Sequence, residues 1–102
     1  MRVIKRLALE QFWQEWPNAE RPLRAWYGLT SKATWRNFAE VKVTFGQTDQ
    51  ARVKSGGMVA IFDIGGNKFR LIAAISFAKG KVYVLRILTH KEYDQEHWKR
   101  QL

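Results

Sequence analysis

Cysteine is absent from the 102 residues, and that one gap removes a disulfide scaffold, a thiol nucleophile and a zinc ribbon together. It also suits a reducing cytoplasm, where the chain is expected to work. Hydrophobic runs are short. The longest, Leu71 to Ala78, is interrupted by Ser76 and closed by Arg70 and Lys79, well below the ~20 apolar residues a membrane helix requires. The segment Met1-Arg2-Val3-Ile4-Lys5-Arg6 has too much charge and too little apolar length for a signal peptide. No membrane partner is expected. Histidine is scarce, at two residues, and no group of ligands at metal-binding spacing can be picked out. The expectation is chemistry with neither metal nor cofactor.

Acidic residues are few as well. Nine Asp and Glu face 18 Lys and Arg, a formal net charge of +9, and residues 47–91 alone hold eight cations against two carboxylates. An excess of this size implies a polyanionic partner, nucleic acid first, through counterion release and long-range steering. An acidic protein partner would use the same surface.

What is present reads as one domain over residues 1–102, with helices first and strands second. Residues 3–16 predict a helix with Ile4, Leu7, Ala8 and Phe12 on one face, stopped by Pro17. A second helix starts near Pro22 and carries Leu23, Trp26, Tyr27 and Thr30; Gly28 leaves its end open. Thr34 or Asn37 caps a third, with Phe38, Val41, Val43 and Phe45 as its apolar members and Gly46 after its end. Residues 47–57 are polar and glycine-containing, which predicts a loop or a short edge element.

Strands are expected over 58–64, 68–77 and 82–88, joined by turns at Gly65-Gly66-Asn67 and Ala78-Lys79-Gly80-Lys81. Thr89 and Glu92 have capping-box spacing and open a single charged helix to Leu102. The fold class is α+β: N-terminal helices packed on a three- to four-stranded, mainly antiparallel sheet, with a short C-terminal helix. Trp13, Trp16 and Trp26 fall on helical apolar stripes and are assigned to the core. Trp35 braces the middle helix. Trp98, on the charged tail, is the tryptophan considered for RNA contact.

Two blocks carry a resemblance. Gly65-Gly66-Asn67-Lys68-Phe69-Arg70-Leu71 and, about twenty residues on, Thr89-His90-Lys91-Glu92-Tyr93-Asp94 resemble the HigB family of RelE-like toxins. Trp35-Arg36-Asn37 with Glu40-Val41-Lys42, Phe45 and Asp49 is similar to that family's middle segment. The likeness spans about residues 25–94. It implies a RelE/ParE-type fold and ribosome-dependent, metal-independent cleavage of mRNA. It also implies neutralisation by a HigA-like helix-turn-helix antitoxin, through which operator DNA is reached. The chain departs from the family at Phe38, where proline is common, and at Asp63, where asparagine is usual. The second departure puts a carboxylate beside the expected RNA surface, where it would weaken phosphate contacts.

Such cleavage needs a base for the 2′-hydroxyl, cations for the charge developing on phosphorus, and an acid for the leaving oxygen. The resemblance places the catalytic arginine at Arg70, whose guanidinium can clamp phosphate in two-point geometry. Lys68 lies two residues earlier on the same strand face, so the two cations are expected to point the same way. His90 and Lys91 stand between the last strand and the tail helix, where an imidazole that titrates near neutrality suits acid or base duty. Tyr93 stacks on a base, donates its phenol proton, or anchors the last helix. Asp94 is an orienting partner or a helix-start charge rather than a base, and His97 is exposed. Arg52 and Lys54 are phosphate contacts on charge alone, and Arg86 faces either the Arg70 cleft or solvent. Two other functions compete: a ParE-like gyrase poison, and a non-catalytic RNA or ribosome binder.

Overall fold

The computed structural model describes residues 1–102. Its elements are β1 (Arg2–Ile4), α1 (Leu7–Glu15), α2 (Glu20–Lys32), α3 (Phe38–Thr44), β2 (Asp49–Arg52), β3 (Met58–Ile64), β4 (Phe69–Ser76), β5 (Lys81–Thr89), α4 (His90–Asp94) and α5 (His97–Gln101). The five strands make one sheet in the order β1-β5-β4-β3-β2. All neighbours are antiparallel except β1, which runs parallel to β5 with Val3 opposite Val82 and Ile4 opposite Tyr83. The α+β class is as expected, and the sheet is wider than the three or four strands anticipated.

The extra strand corrects the first helix. Val3 and Ile4 are β-branched and fit a pleated surface, and the open edge of β5 supplies the hydrogen-bonding partner. Lys5, at φ 67°, then turns the chain, so α1 begins only at Leu7. Pro17 ends α1 as expected, leaving Trp16 extended at φ −122°, ψ 80°. A single 3₁₀ turn, Pro17–Ala19, leads into α2. That helix runs past Gly28 to Lys32 and buries Leu23, Trp26 and Thr30.

Asn37, not Thr34, caps α3, its side-chain oxygen accepting from the Glu40 N–H at 3.0 Å. The Glu40 carboxylate does not close the box. It binds the Arg36 N–H at 2.7 Å and the Arg36 guanidinium at 2.9 Å instead. Val43, expected among the apolar members of α3, is 87% exposed.

The sheet is covered on both faces. Helices α1–α3 pack Leu9, Leu23, Trp26 and Val41 against Phe62, Ile64, Leu71, Val82 and Val84. On the other face Val53, Val59, Ile61 and Ile72 close against Trp98. The tail is two short helices, because Glu96 adopts a left-handed conformation between them (φ 59°). This break folds α5 back over the sheet and buries Trp98 to 2% exposure. Trp98 is therefore a core residue, not an exposed RNA contact. Conversely Trp16, assigned to the core, is 41% exposed.

Candidate active site

The β3–β4 hairpin and the start of α4 meet at one end of the sheet. Gly65 and Gly66, at φ 65° and 71°, make the tight turn that glycine allows without strain. The turn extends through Lys68, so β4 starts at Phe69 and Lys68 stands just outside the strand rather than on its face. Thr89 caps α4 through a complete capping box with Glu92. The backbone N–H of His90, first residue of α4, donates to the Lys68 carbonyl at 3.0 Å and so joins the two motifs. This bond, between residues 22 apart in sequence, extends the β4–β5 ladder, in which Phe69 stands opposite Thr89.

Arg70 sits one residue inside β4, opposite Asp63 on β3 and Leu88 on β5. Its side chain is only 10% exposed, and it is surrounded by partners. Nε lies 3.2 Å from the Asp63 carboxylate, Nη1 donates to the Phe69 carbonyl at 3.2 Å, and Nη2 donates to the Asn67 side-chain oxygen. The guanidinium carbon is 5.2 Å from the centre of the Tyr93 ring, and that ring stacks on Trp98 at 5.5 Å. Asp63, expected only to disturb an RNA surface, is the counter-charge of a buried arginine. Charge burial requires such a partner.

His90 is half-exposed, with Nδ1 2.9 Å from an Asp94 carboxylate oxygen one helical turn on. Asp94 thus occupies an orienting position beside the ring, leaving Nε2 for other work. Lys68 and Lys91 are exposed, and neither ammonium is drawn into an internal ion pair. The structure therefore brings together Lys68, Arg70, His90, Lys91 and Tyr93.

It does not bring Arg52 and Lys54 to them. Arg52 pairs with Met58, five residues along β3 from Asp63 and so about 16 Å away along the strand. Its guanidinium folds onto the Gly56 carbonyl at 2.8 Å. Lys54 follows it, its N–H held by the Lys99 carbonyl at 2.9 Å. Arg86 is exposed and stands opposite Ile72, two residues along β5 from the Leu88 that faces Arg70; its guanidinium donates to the Leu85 carbonyl, and it lines a groove with Phe12 and Glu15 of α1. Sequence reasoning passed over Asn67 as an Arg70 partner. Its place three residues before Arg70 in the hairpin turn was the available signal.

Burial pushes the Tyr93 phenol above its ordinary value of 10.0, and Asp49 adds to this while the Arg70 charge opposes it. The folded protein thus holds this proton to higher pH than the unfolded chain does. The associated stability is intact below the unfolded value and lost as pH rises through the folded one. In an alkaline absorbance titration of the three tyrosines, one late-titrating phenol is expected, and it should vanish in Tyr93→Phe. The absence of any late phenol would contradict the burial of Tyr93.

With this geometry in place, comparison with known proteins gives a family. A family model described as HigB_toxin, the RelE-like toxic component of a toxin–antitoxin system, matches residues 19–96. The chain belongs to the HigB toxin family. The match covers everything from the end of the 3₁₀ turn to Glu96, including both motifs of the site, and leaves β1 and α1 outside. As the toxic component of such a system it has an antitoxin as partner. The mRNA interferase toxin HigB of Escherichia coli K12 is 29% identical over 94 residues, spanning 92% of this chain and 88% of that protein. The mRNA interferase HigB of E. coli O6:H1 is 27% identical over 95 residues, spanning 93% and 90%. No helix of this HigB-family toxin is long and apolar enough to cross a membrane.

Proposed function

We propose that this toxin is an mRNA interferase, a metal-independent endoribonuclease that cuts mRNA on the ribosome and so stops translation in the cytoplasm. The names of its relatives support the activity. The observation that carries the mechanism is the assembly of Arg70, His90, Lys91 and Lys68 where the hairpin turn meets α4.

In this reading the RNA 2′-oxygen forms a bond to the adjacent phosphorus, and the bond from phosphorus to the 5′-oxygen breaks. The 2′-hydroxyl proton goes to a base, and the departing 5′-oxygen receives one from an acid. The products are a 2′,3′-cyclic phosphate and a 5′-hydroxyl. His90, steadied by Asp94, serves one of the two proton transfers. Arg70 faces the charge developing on the phosphoryl oxygens; held rigid by Asp63 and Asn67, it needs little reorganisation when that charge appears. Lys68 and Lys91 hold the flanking phosphates. Tyr93 keeps Arg70 in place through its ring, and its protonated hydroxyl remains a donor. The antitoxin is proposed to be a HigA-like helix-turn-helix protein, with operator DNA reached only through it.

His90→Gln tests the assignment. Single-turnover cleavage of ribosome-bound mRNA should fall by about a hundredfold, the lower range for loss of a general acid or base. Co-sedimentation with ribosomes should stay as in the wild type. A parallel loss of both would instead favour a protein that only binds RNA.

A further inference from the structure

The candidate active site does not hold the charge excess. Around the hairpin and α4, the cations Lys68, Arg70 and Lys91 stand against the carboxylates Asp63, Glu92 and Asp94. The opposite end of the sheet differs. There Arg2 of β1 pairs in register with Lys81 of β5, and the β4–β5 turn places Lys79 close by. The end of α2 and the segment after it add Lys32 and Arg36. One carboxylate joins these five cations: Glu40, tied to Arg36 at 2.9 Å.

A shallow cleft of about 530 Å³ opens at this end, with Arg2, Arg36 and Lys79 in its lining and no carboxylate. A second cleft, bordered by Lys32 and Glu40, shares Thr34, Trp35 and Arg36 with it. Arg2, Lys32 and Lys79 are exposed and have no internal ion pair. The 83% exposed side chain of Arg36 keeps most of its surface for solvent despite Glu40. Along β5, Lys81 lies eight residues from Thr89, about 26 Å in an extended strand. The longest dimension of the molecule is 33 Å. The two ends cannot serve one phosphate.

We propose that this cleft is a second RNA site, which grips phosphodiester groups far from the bond that is cut. A backbone contact needs cations on an open surface and no base recognition, and that is what the cleft offers. A protein partner is the poorer fit, because tight protein interfaces centre on large apolar anchors, whereas the aromatics here, Trp35 and Phe77, pack into the core and Val43 is the single exposed apolar side chain at the adjoining cleft. The inference rests on the proposed function only in taking RNA as the substrate. The phosphates belong either to ribosomal RNA or to a distant part of the message.

The test uses the full chain carrying Arg2→Gln, Lys32→Gln and Lys79→Gln together. Two probes are titrated with salt: purified vacant ribosomes, and a single-stranded RNA oligonucleotide. Affinity should fall at least tenfold at low salt, and the slope of log affinity against log salt should drop by about 2, roughly 0.7 for each cation lost. The single-turnover cleavage rate at saturating ribosomes should remain within twofold. Loss confined to ribosomes assigns ribosomal RNA; loss on the oligonucleotide as well assigns the message. Unchanged affinity and slope on both probes would overturn the proposal. So would intact RNA binding with weakened antitoxin binding, or a slowed rate at saturation. His90→Gln measured alongside separates the readings: full cleavage by that variant removes the catalytic assignment and leaves this one standing.

Discussion

Replacing Arg70 by alanine is expected to slow mRNA cleavage on the ribosome by about a thousandfold, the upper range for loss of one preorganised donor at a developing oxyanion. Ribosome binding should change by a few-fold at most, since Lys68, Lys91 and the cations at the far end of the sheet remain. The effect is large because the position of Arg70 is fixed on several sides. Asp63 faces Nε, Asn67 and the Phe69 carbonyl accept from the two terminal nitrogens, and the Tyr93 ring packs beside it. Removing it also strands the Asp63 carboxylate. That carboxylate is 32% exposed and regains water, so the stability cost should be about 1–3 kcal/mol, below that of breaking a fully buried pair. Arg70→Lys keeps the charge without the planar fork and should fall between wild type and alanine. Cleavage must be measured well below the thermal midpoint of each variant. An alanine variant that cuts within tenfold of wild type would remove Arg70 from the mechanism.

Trp98→Ala should have the largest effect on stability, about 3–5 kcal/mol for truncating a buried tryptophan, or a fall in melting temperature of roughly 15–30 °C for a domain of this size. Trp98 is 2% exposed and packs with Val53, Val59, Ile61 and Ile72. Its Nε1 donates to the Tyr93 carbonyl at 3.1 Å. The loss is thus both a cavity and a free end for α5, and it loosens the ring on which Arg70 rests. Cleavage should decline along with stability. Trp16→Ala, at a 41% exposed position, is the control and should shift the melting temperature far less. Equal shifts for the two variants would contradict the packing of α5 on the sheet.

Features set by local chemistry were legible in the sequence. Pro17 had to end α1, Gly65 and Gly66 had to turn the β3–β4 hairpin, and Thr89 with Glu92 closed the capping box that was expected. Features set by a distant partner were not. Val3 and Ile4 satisfy a helical period as well as a strand period, and only the free edge of β5 decides between them. Trp98 sits among Glu96, Lys99 and Arg100, so its surroundings in sequence look solvated, while the left-handed Glu96 that turns it inward carries no sequence mark. The site was legible as two motifs. That a main-chain bond from His90 to Lys68 joins them, and that Asp63 and Asn67 enclose Arg70, depends on strand register.

The most direct test is to express the chain in a bacterial host and map new 5′ ends on transcripts during growth arrest, with translation initiation running or blocked. The account predicts cuts within reading frames that vanish when initiation is blocked and are missing in an Arg70→Ala, His90→Gln double variant expressed at equal level. Arrest without new 5′ ends, or cuts that persist in the double variant, would contradict it.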